Sequence, residues 1–121
     1  MAETGTTGAK WISTDPYVAA LANKIESLYP GHVQGVNIPL RDASGHVVTD
    51  ADILLNNAVI QVKSGGGKGL GSQVLRKTPA GSGLPVIGYG PALKPHVVQG
   101  IERGGGLVTT DETLLLEVIK P

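Results

Sequence analysis

Asp52, Gln61 and Lys63 place an acid, an amide and an amine on two apolar runs, Val47–Leu55 and Ala58–Lys63, joined by Asn56-Asn57. Asparagine tolerates the positive φ of a type I′ hairpin turn, so the two runs are predicted to form a tight hairpin. Counting back from that turn, Leu55 faces Ala58, Leu54 faces Val59, Ile53 faces Ile60 and Asp52 faces Gln61. Opposed side chains lie about 5 Å apart and alternate between faces. Asp52, Gln61 and Lys63 then share one face, and Ile53, Leu55, Ile60 and Val62 the other. Unpaired charge on buried strands is costly, which leaves two readings: an ordinary Asp52–Lys63 salt bridge beside a glutamine, or a metal site. Two oxygen ligands suit Mg²⁺ or another divalent cation such as Mn²⁺, which takes one or two carboxylates together with phosphate oxygens. With Lys63 at the phosphate, these residue types match metal-assisted phosphodiester hydrolysis.

Other residues extend this constellation. Glu26, stacked over Ala22 and Ala19 in the first helical segment, is a candidate third metal oxygen beside Asp52 and Gln61; its alternative is a solvated glutamate paired with a lysine. No acidic residue occurs from Ile53 to Ile101, whereas Lys63, Lys68, Arg76, Lys77 and Lys94 all do, so a locally positive surface is expected. Ser64, Lys68, Gln73, Arg76 and Lys77 are the candidate substrate-binding residues, with Gln73 placed to orient a water or contact nucleic acid unless it is simply exposed. Gly65–Gly71 lets a nucleic-acid backbone approach Lys63 and Lys68. It lacks the spacing of a phosphate-binding nucleotide loop, so no nucleotide cofactor is expected. His32, His46 and His96 show no ligand spacing and read as surface residues. Trp11 reads as a staple between the first helix and the core, and Tyr89 as either a core or a base-stacking residue.

The elements that must hold these residues follow from local signals. Asp15-Pro16 opens a helix that runs to about Tyr29, with Val18, Leu21, Ile25 and Leu28 as its apolar stripe and Pro30-Gly31 as its stop. His32–Arg41 reads as a strand and Asp42–Gly45 as a turn, followed by the hairpin. Leu70–Lys77 reads as a short helix, Thr78–Gly83 as a loop and Leu84–Tyr89 as a strand. Pro95–Arg103 is a helix, Leu107–Thr110 a strand, and Asp111 caps a last helix to about Ile119. The order αβββαβαβα predicts an α/β fold, a mixed β-sheet flanked by helices.

The chain has 121 residues, room for one domain; residues 1–13, Gly/Thr-rich at their start, read as a flexible leader to a single domain over 14–121. Without cysteine there is no disulfide framework and no cysteine-bound zinc. Ten basic residues balance ten acidic ones, so any attraction to nucleic acid must come from local charge. The longest apolar runs fall far short of the roughly twenty residues that span a bilayer, and a soluble chain without a membrane partner is expected.

Glu26, Asp52 and Gln61-Val62-Lys63, in this order of elements, resemble the PD-(D/E)XK nuclease superfamily, whose pattern is a helical Glu, a hairpin Asp and Glu-x-Lys on the next strand. The likeness covers roughly Asp15 to Thr110 and departs at Gln61, which keeps a carbonyl oxygen but loses a negative charge. It implies a restriction-endonuclease-like core, catalytic roles for Glu26, Asp52, Gln61 and Lys63, and a magnesium-dependent endonuclease. The segment from Asn57 to Gly67, with the polar leader, resembles the C-terminal toxin domains of contact-dependent growth inhibition proteins. That resemblance implies a tRNA nuclease, with DNA as the alternative substrate. It also implies a domain of a larger secreted or cell-surface effector, delivered into the cytoplasm of target bacteria and neutralised in the producer by an immunity protein. A catalytically silent nucleic-acid-binding module is the competing reading.

Overall fold

The computed structural model describes residues 10–121. Residues 1–9 of the predicted leader lie outside the described residues. Its remaining residues belong to the fold: Trp11 exchanges two hydrogen bonds with the Asn23 amide, and Ser13 donates to Asn37. Trp11 also packs against the core, as a staple should.

Helix α1 (Pro16–Leu28) is capped by Asp15, whose carboxylate accepts from the Tyr17 N–H, and it buries Val18, Leu21, Ala22 and Ile25. Strand β1 (Val33–Arg41) turns at Asp42–Gly45 into β2 (Val47–Leu55), which pairs in turn with β3 (Val59–Val62). The next helical stretch runs without a break through α2 (Leu70–Ser72), a π turn (Gln73–Lys77) and α3 (Thr78–Gly81). Strand β4 (Val86–Tyr89), helix α4 (Pro95–Arg103), strand β5 (Leu107–Thr109) and helix α5 (Glu112–Val118) complete the chain. The sheet has five strands in the order β1-β2-β3-β4-β5, antiparallel from β1 to β3 and parallel from β3 to β5. This is an α/β fold with a mixed sheet between helices.

The hairpin register is the one counted from the sequence, with Ile53 opposite Ile60 and Leu54 opposite Val59. The turn type is not. Asn37 is the only non-glycine with positive φ among the described residues, so Asn56-Asn57 is not a type I′ turn. Its side chains serve tertiary contacts instead: the Asn56 amide donates to Gly31 O and the Asn57 amide to Ile119 O. A second correction concerns Thr78–Gly81, expected as loop and found as α3. Pro79 lies inside this continuous stretch, just after the π turn, and its missing N–H leaves one carbonyl of the preceding turn without its usual donor.

The two sheet faces carry separate cores. Helices α1 and α5 cover one, with Ile25, Ile53, Leu55, Ile60, Leu115 and Ile119 fully buried. Leu70 and Val74 from the α2 stretch, Ile101 from α4 and Leu93 from the loop before α4 cover the other. Tyr89 packs in the first of these cores, which settles it as a core residue. His32, expected at the surface, is also buried there and anchors the C-terminus through Ile119 O at 2.7 Å. No described helix is long and apolar enough to cross a membrane.

Candidate functional site

The β2–β3 ladder stops at Ile53 and Ile60, and beyond it side chains take over the pairing. The Asp52 N–H donates to Gln61 Oε1 at 3.0 Å, and the Val62 N–H donates to Asp52 Oδ2 at 2.8 Å. The Gln61 amide nitrogen donates to Asp50 O at 2.8 Å and to the buried Thr78 hydroxyl at 2.7 Å. Gln61 thus acts as a surrogate peptide group, accepting from Asp52 and donating to Asp50 as a neighbouring strand would. It is 0% exposed, with both ends of its amide committed. The sequence expectation that Gln61 is a metal ligand is therefore corrected: it is a structural residue that holds Asp52 in place. A carboxylate in its position would lose both N–H donors and face the Asp50 carbonyl in a site closed to water.

Where the strands diverge, a cleft of about 350 Å³ opens, lined by Asp15, Asp52, Val62, Lys63, Ser64, Gly65, Gly66, Gly67 and Lys68. Asp52 is half-buried in it. Burial pushes its carboxyl above the ordinary value; the Val62 N–H and the Lys63 charge oppose the rise, and the Asp15 and Asp50 charges add to it. The ion pairs among the described residues are Lys10–Glu26 and Lys24–Glu112, so the Asp52–Lys63 salt bridge is not made. Close backbone packing supports the Lys63 wall of the cleft. The Lys63 N–H donates to Tyr89 O at 2.9 Å, and a Cβ on Gly90 would collide with Lys63 O. Gly67 has a φ of 99°, and a Cβ there would lie 2.8 Å from Leu93, so the loop needs glycine at this turn.

No family model, curated protein or solved structure matches the chain.

The structure brings together Asp52, Lys63, Ser64 and Lys68 of the residues expected from sequence. It does not bring Glu26. That residue sits at the far end of α1, eleven positions from Asp15 and hence about 16 Å along the helix axis. There its carboxylate accepts from the Trp11 indole at 3.2 Å and the Gly31 N–H at 3.0 Å, with Lys10 at 3.6 Å. The Gly31 and Trp11 bonds, with Lys10, hold its carboxyl below the ordinary value against a smaller opposing effect of burial. Glu26 is a structural clasp, and its expected catalytic and metal roles are corrected. Gln73 is turned to β2, its amide nitrogen 3.5 Å from the Thr49 hydroxyl and its oxygen buried without a partner. Arg76, bonded to Ser72, and Lys77 are exposed on the helical stretch and do not line the cleft.

Asp15 is the acid that sequence reasoning missed. Its cap uses Oδ1 alone, so the other oxygen has no partner among the described residues, as is true of Asp52 Oδ1. The signal for Asp15 was the chain direction. The short link from α1 to β1 makes them run in opposite senses, and β1 and β3 run in the same sense. The end of β3, with Lys63, therefore arrives at the start of α1.

No group of three or more His, Cys, Asp or Glu able to hold a metal occurs among the described residues. Of the expected three-oxygen set only Asp52 lines the cleft, beside Asp15. Their chemistry still fits a magnesium-like ion, which takes one or two protein carboxylates and leaves its remaining positions to water and phosphate oxygens. Asp52, raised by burial and by Asp15, is a carboxylate short of positive partners.

Proposed function

We propose that the chain is a metal-dependent endonuclease hydrolysing phosphodiester bonds in the cleft between Asp52 and Lys68. The observation that carries this reading is the half-buried, insufficiently paired Asp52 carboxylate sharing one open cleft with a second acid, Asp15, and with Lys63 and Lys68. Asp52 and Asp15 would hold the divalent cation, Mg²⁺ or Mn²⁺. The ion would supply positive charge that polarises the phosphoryl group. Lys63 stabilises charge developing on the phosphoryl oxygens, and Lys68 with Ser64 holds the strand. Gln61 positions Asp52 from behind, and the glycine loop lets the sugar-phosphate backbone come close.

The antiparallel hairpin, the parallel fourth strand and the leading helix support a restriction-endonuclease-like core of the PD-(D/E)XK type, with Asp15 and Asp52 in the acidic roles. The likeness of Asn57–Gly67 to contact-dependent growth inhibition toxins favours RNA, and tRNA in particular, over DNA. On the same ground we place the domain in a larger secreted or cell-surface effector that acts in the cytoplasm of target bacteria and is neutralised by an immunity protein. One observation favours a second reading: with Gln61 buried and Glu26 remote, only two acids among the described residues face the cleft, as expected of a nucleic-acid-binding module that no longer cleaves.

The test incubates purified protein with total tRNA and with plasmid DNA, in Mg²⁺ or in EDTA, beside Asp52→Ala and Lys63→Ala. Discrete tRNA fragments that require the metal and both side chains support the ribonuclease. Plasmid cutting with intact tRNA moves the assignment to DNA. Folded protein that binds both substrates and cuts neither is the binding module.

A further inference from the structure

The glycine loop separates the Asp52 cleft from a second cavity of about 310 Å³, lined by Gly66, Lys68, Lys94, His96 and Val97. Gly66 and Lys68 line both spaces, so the two adjoin at the loop. Among the described residues, the first is lined by acids and cations and the second by no acid. The Lys94 side chain is placed by that loop: its backbone N–H donates to Gly66 O at 3.0 Å, and a Cβ on Gly66 would lie 3.2 Å from the Lys94 chain. Glycine at 66 therefore lets the aliphatic stem of Lys94 lie across the loop. Neither Lys68 nor Lys94 has a carboxylate within 4 Å among the described residues.

We propose that Lys94 and His96, with Lys68, form a second phosphate site that holds the neighbouring phosphodiester of a strand whose scissile phosphate lies at Asp52 and Lys63. This rests on the nuclease reading of the cleft. A cavity lined by two unpaired ammonium groups and an imidazole suits a group that carries negative charge on several oxygens, and the shared wall makes the same strand its natural occupant. Lys68, common to both spaces, lies between successive phosphates. The consequence is directional: the substrate leaves the cleft past α4 rather than past the helical stretch that carries Arg76 and Lys77.

The test measures binding of fluorescent oligoribonucleotides with one to five phosphates to an Asp52→Asn protein over a salt series, and adds Lys94→Ala, Lys94→Arg and Gly66→Val to that background. Inorganic phosphate serves as competitor. The expected result is a gain in affinity from one phosphate to two that Lys94→Ala largely removes. With it, the slope of log K against log salt falls by about 0.7, the value for one phosphate of a single strand. Lys94→Arg keeps the slope. Gly66→Val, which displaces the lysine without removing its charge, lowers affinity on longer strands. An unchanged slope and length dependence in a folded Lys94→Ala protein overturns the second site, and so does a drop that is equal for every length. Displacement by low millimolar inorganic phosphate of the one-phosphate ligand as readily as of the longer ones also overturns it, since that marks a site for the free ion. The two readings fail separately. Cleavage by wild type that is lost in Asp52→Ala, with no effect of Lys94, sinks the second site alone. A Lys94-dependent slope in a wild-type protein that cleaves nothing upholds the site and sinks the nuclease.

Discussion

Asp52 and Glu26 flank opposite ends of the same helix, and their surroundings push them in opposite directions. Glu26 accepts from an indole N–H and a backbone N–H with Lys10 near, and its carboxyl is held below the ordinary value. Asp52 accepts one backbone N–H, loses water to burial and faces Asp15, and its carboxyl is raised. A carboxylate whose donors are supplied by the fold serves the fold. One that the fold leaves short of donors beside an open cleft is available to a ligand, at some expense in stability.

On the proposed nuclease function, the largest effect that separates the two is on cleavage. Asp52→Ala is expected to lower the rate by on the order of a hundred- to a thousandfold, as loss of a directly acting charged group does. Glu26→Gln is expected to cleave at the wild-type rate. A gel assay under single-turnover conditions decides it, and comparable losses in both variants would break the distinction. The next effect is on the fold behind Asp52. Gln61→Glu, which puts an acid in place of the buried amide, is expected to destabilise the protein by about 3 kcal/mol by unmaking buried hydrogen bonds and burying a charge. Urea unfolding measures this. A Gln61→Glu protein as stable as wild type and more active would show that Gln61 is a ligand position after all.

How far the sequence carried these conclusions depended on the range of the forces involved. The hairpin register was legible because a two-residue link and the period-2 alternation determine it locally, and both observed pairs agree. The turn type was not, because Asn56 and Asn57 serve partners at Gly31 and Ile119 that only the folded chain brings near. Helix α1 was legible from Asp15-Pro16 and its apolar stripe, yet the stripe says which face is buried and not which end meets the hairpin. The stripe alone therefore leaves Glu26 a candidate for the site, and it gives no sign that Asp15, the cap expected from Asp15-Pro16, also lines the cleft. Gln61 was recognised as part of the constellation but not in its role, since its partners are backbone atoms of the opposite strand and a hydroxyl on a segment expected to be loop.

The smallest effect is on stability against pH, and the comparison predicts opposite signs. Asp52 has a raised carboxyl in the folded state, so its contribution is favourable at low pH and is lost as pH rises through its folded titration. At neutral pH the ionised group burdens the fold. Asp52→Asn, which keeps an oxygen for the Val62 N–H, is expected to melt higher than wild type at pH 7, with the advantage shrinking as the pH falls and Asp52 takes up its proton. Glu26 has a lowered carboxyl, so its contribution is present above the unfolded value and is lost as pH falls through the folded one. Glu26→Gln should melt lower than wild type at pH 7, and the deficit should close on acidification. Thermal melts of the three proteins between pH 3 and pH 7 in about 0.1 M salt, where exposed charges are already screened, give both differences. Divalent cation sharpens the test. If Asp15 and Asp52 hold it, millimolar Mg²⁺ raises the melting temperature of wild type and of Glu26→Gln at pH 7 but not of Asp52→Asn. Equal shifts in all three would place the cation elsewhere.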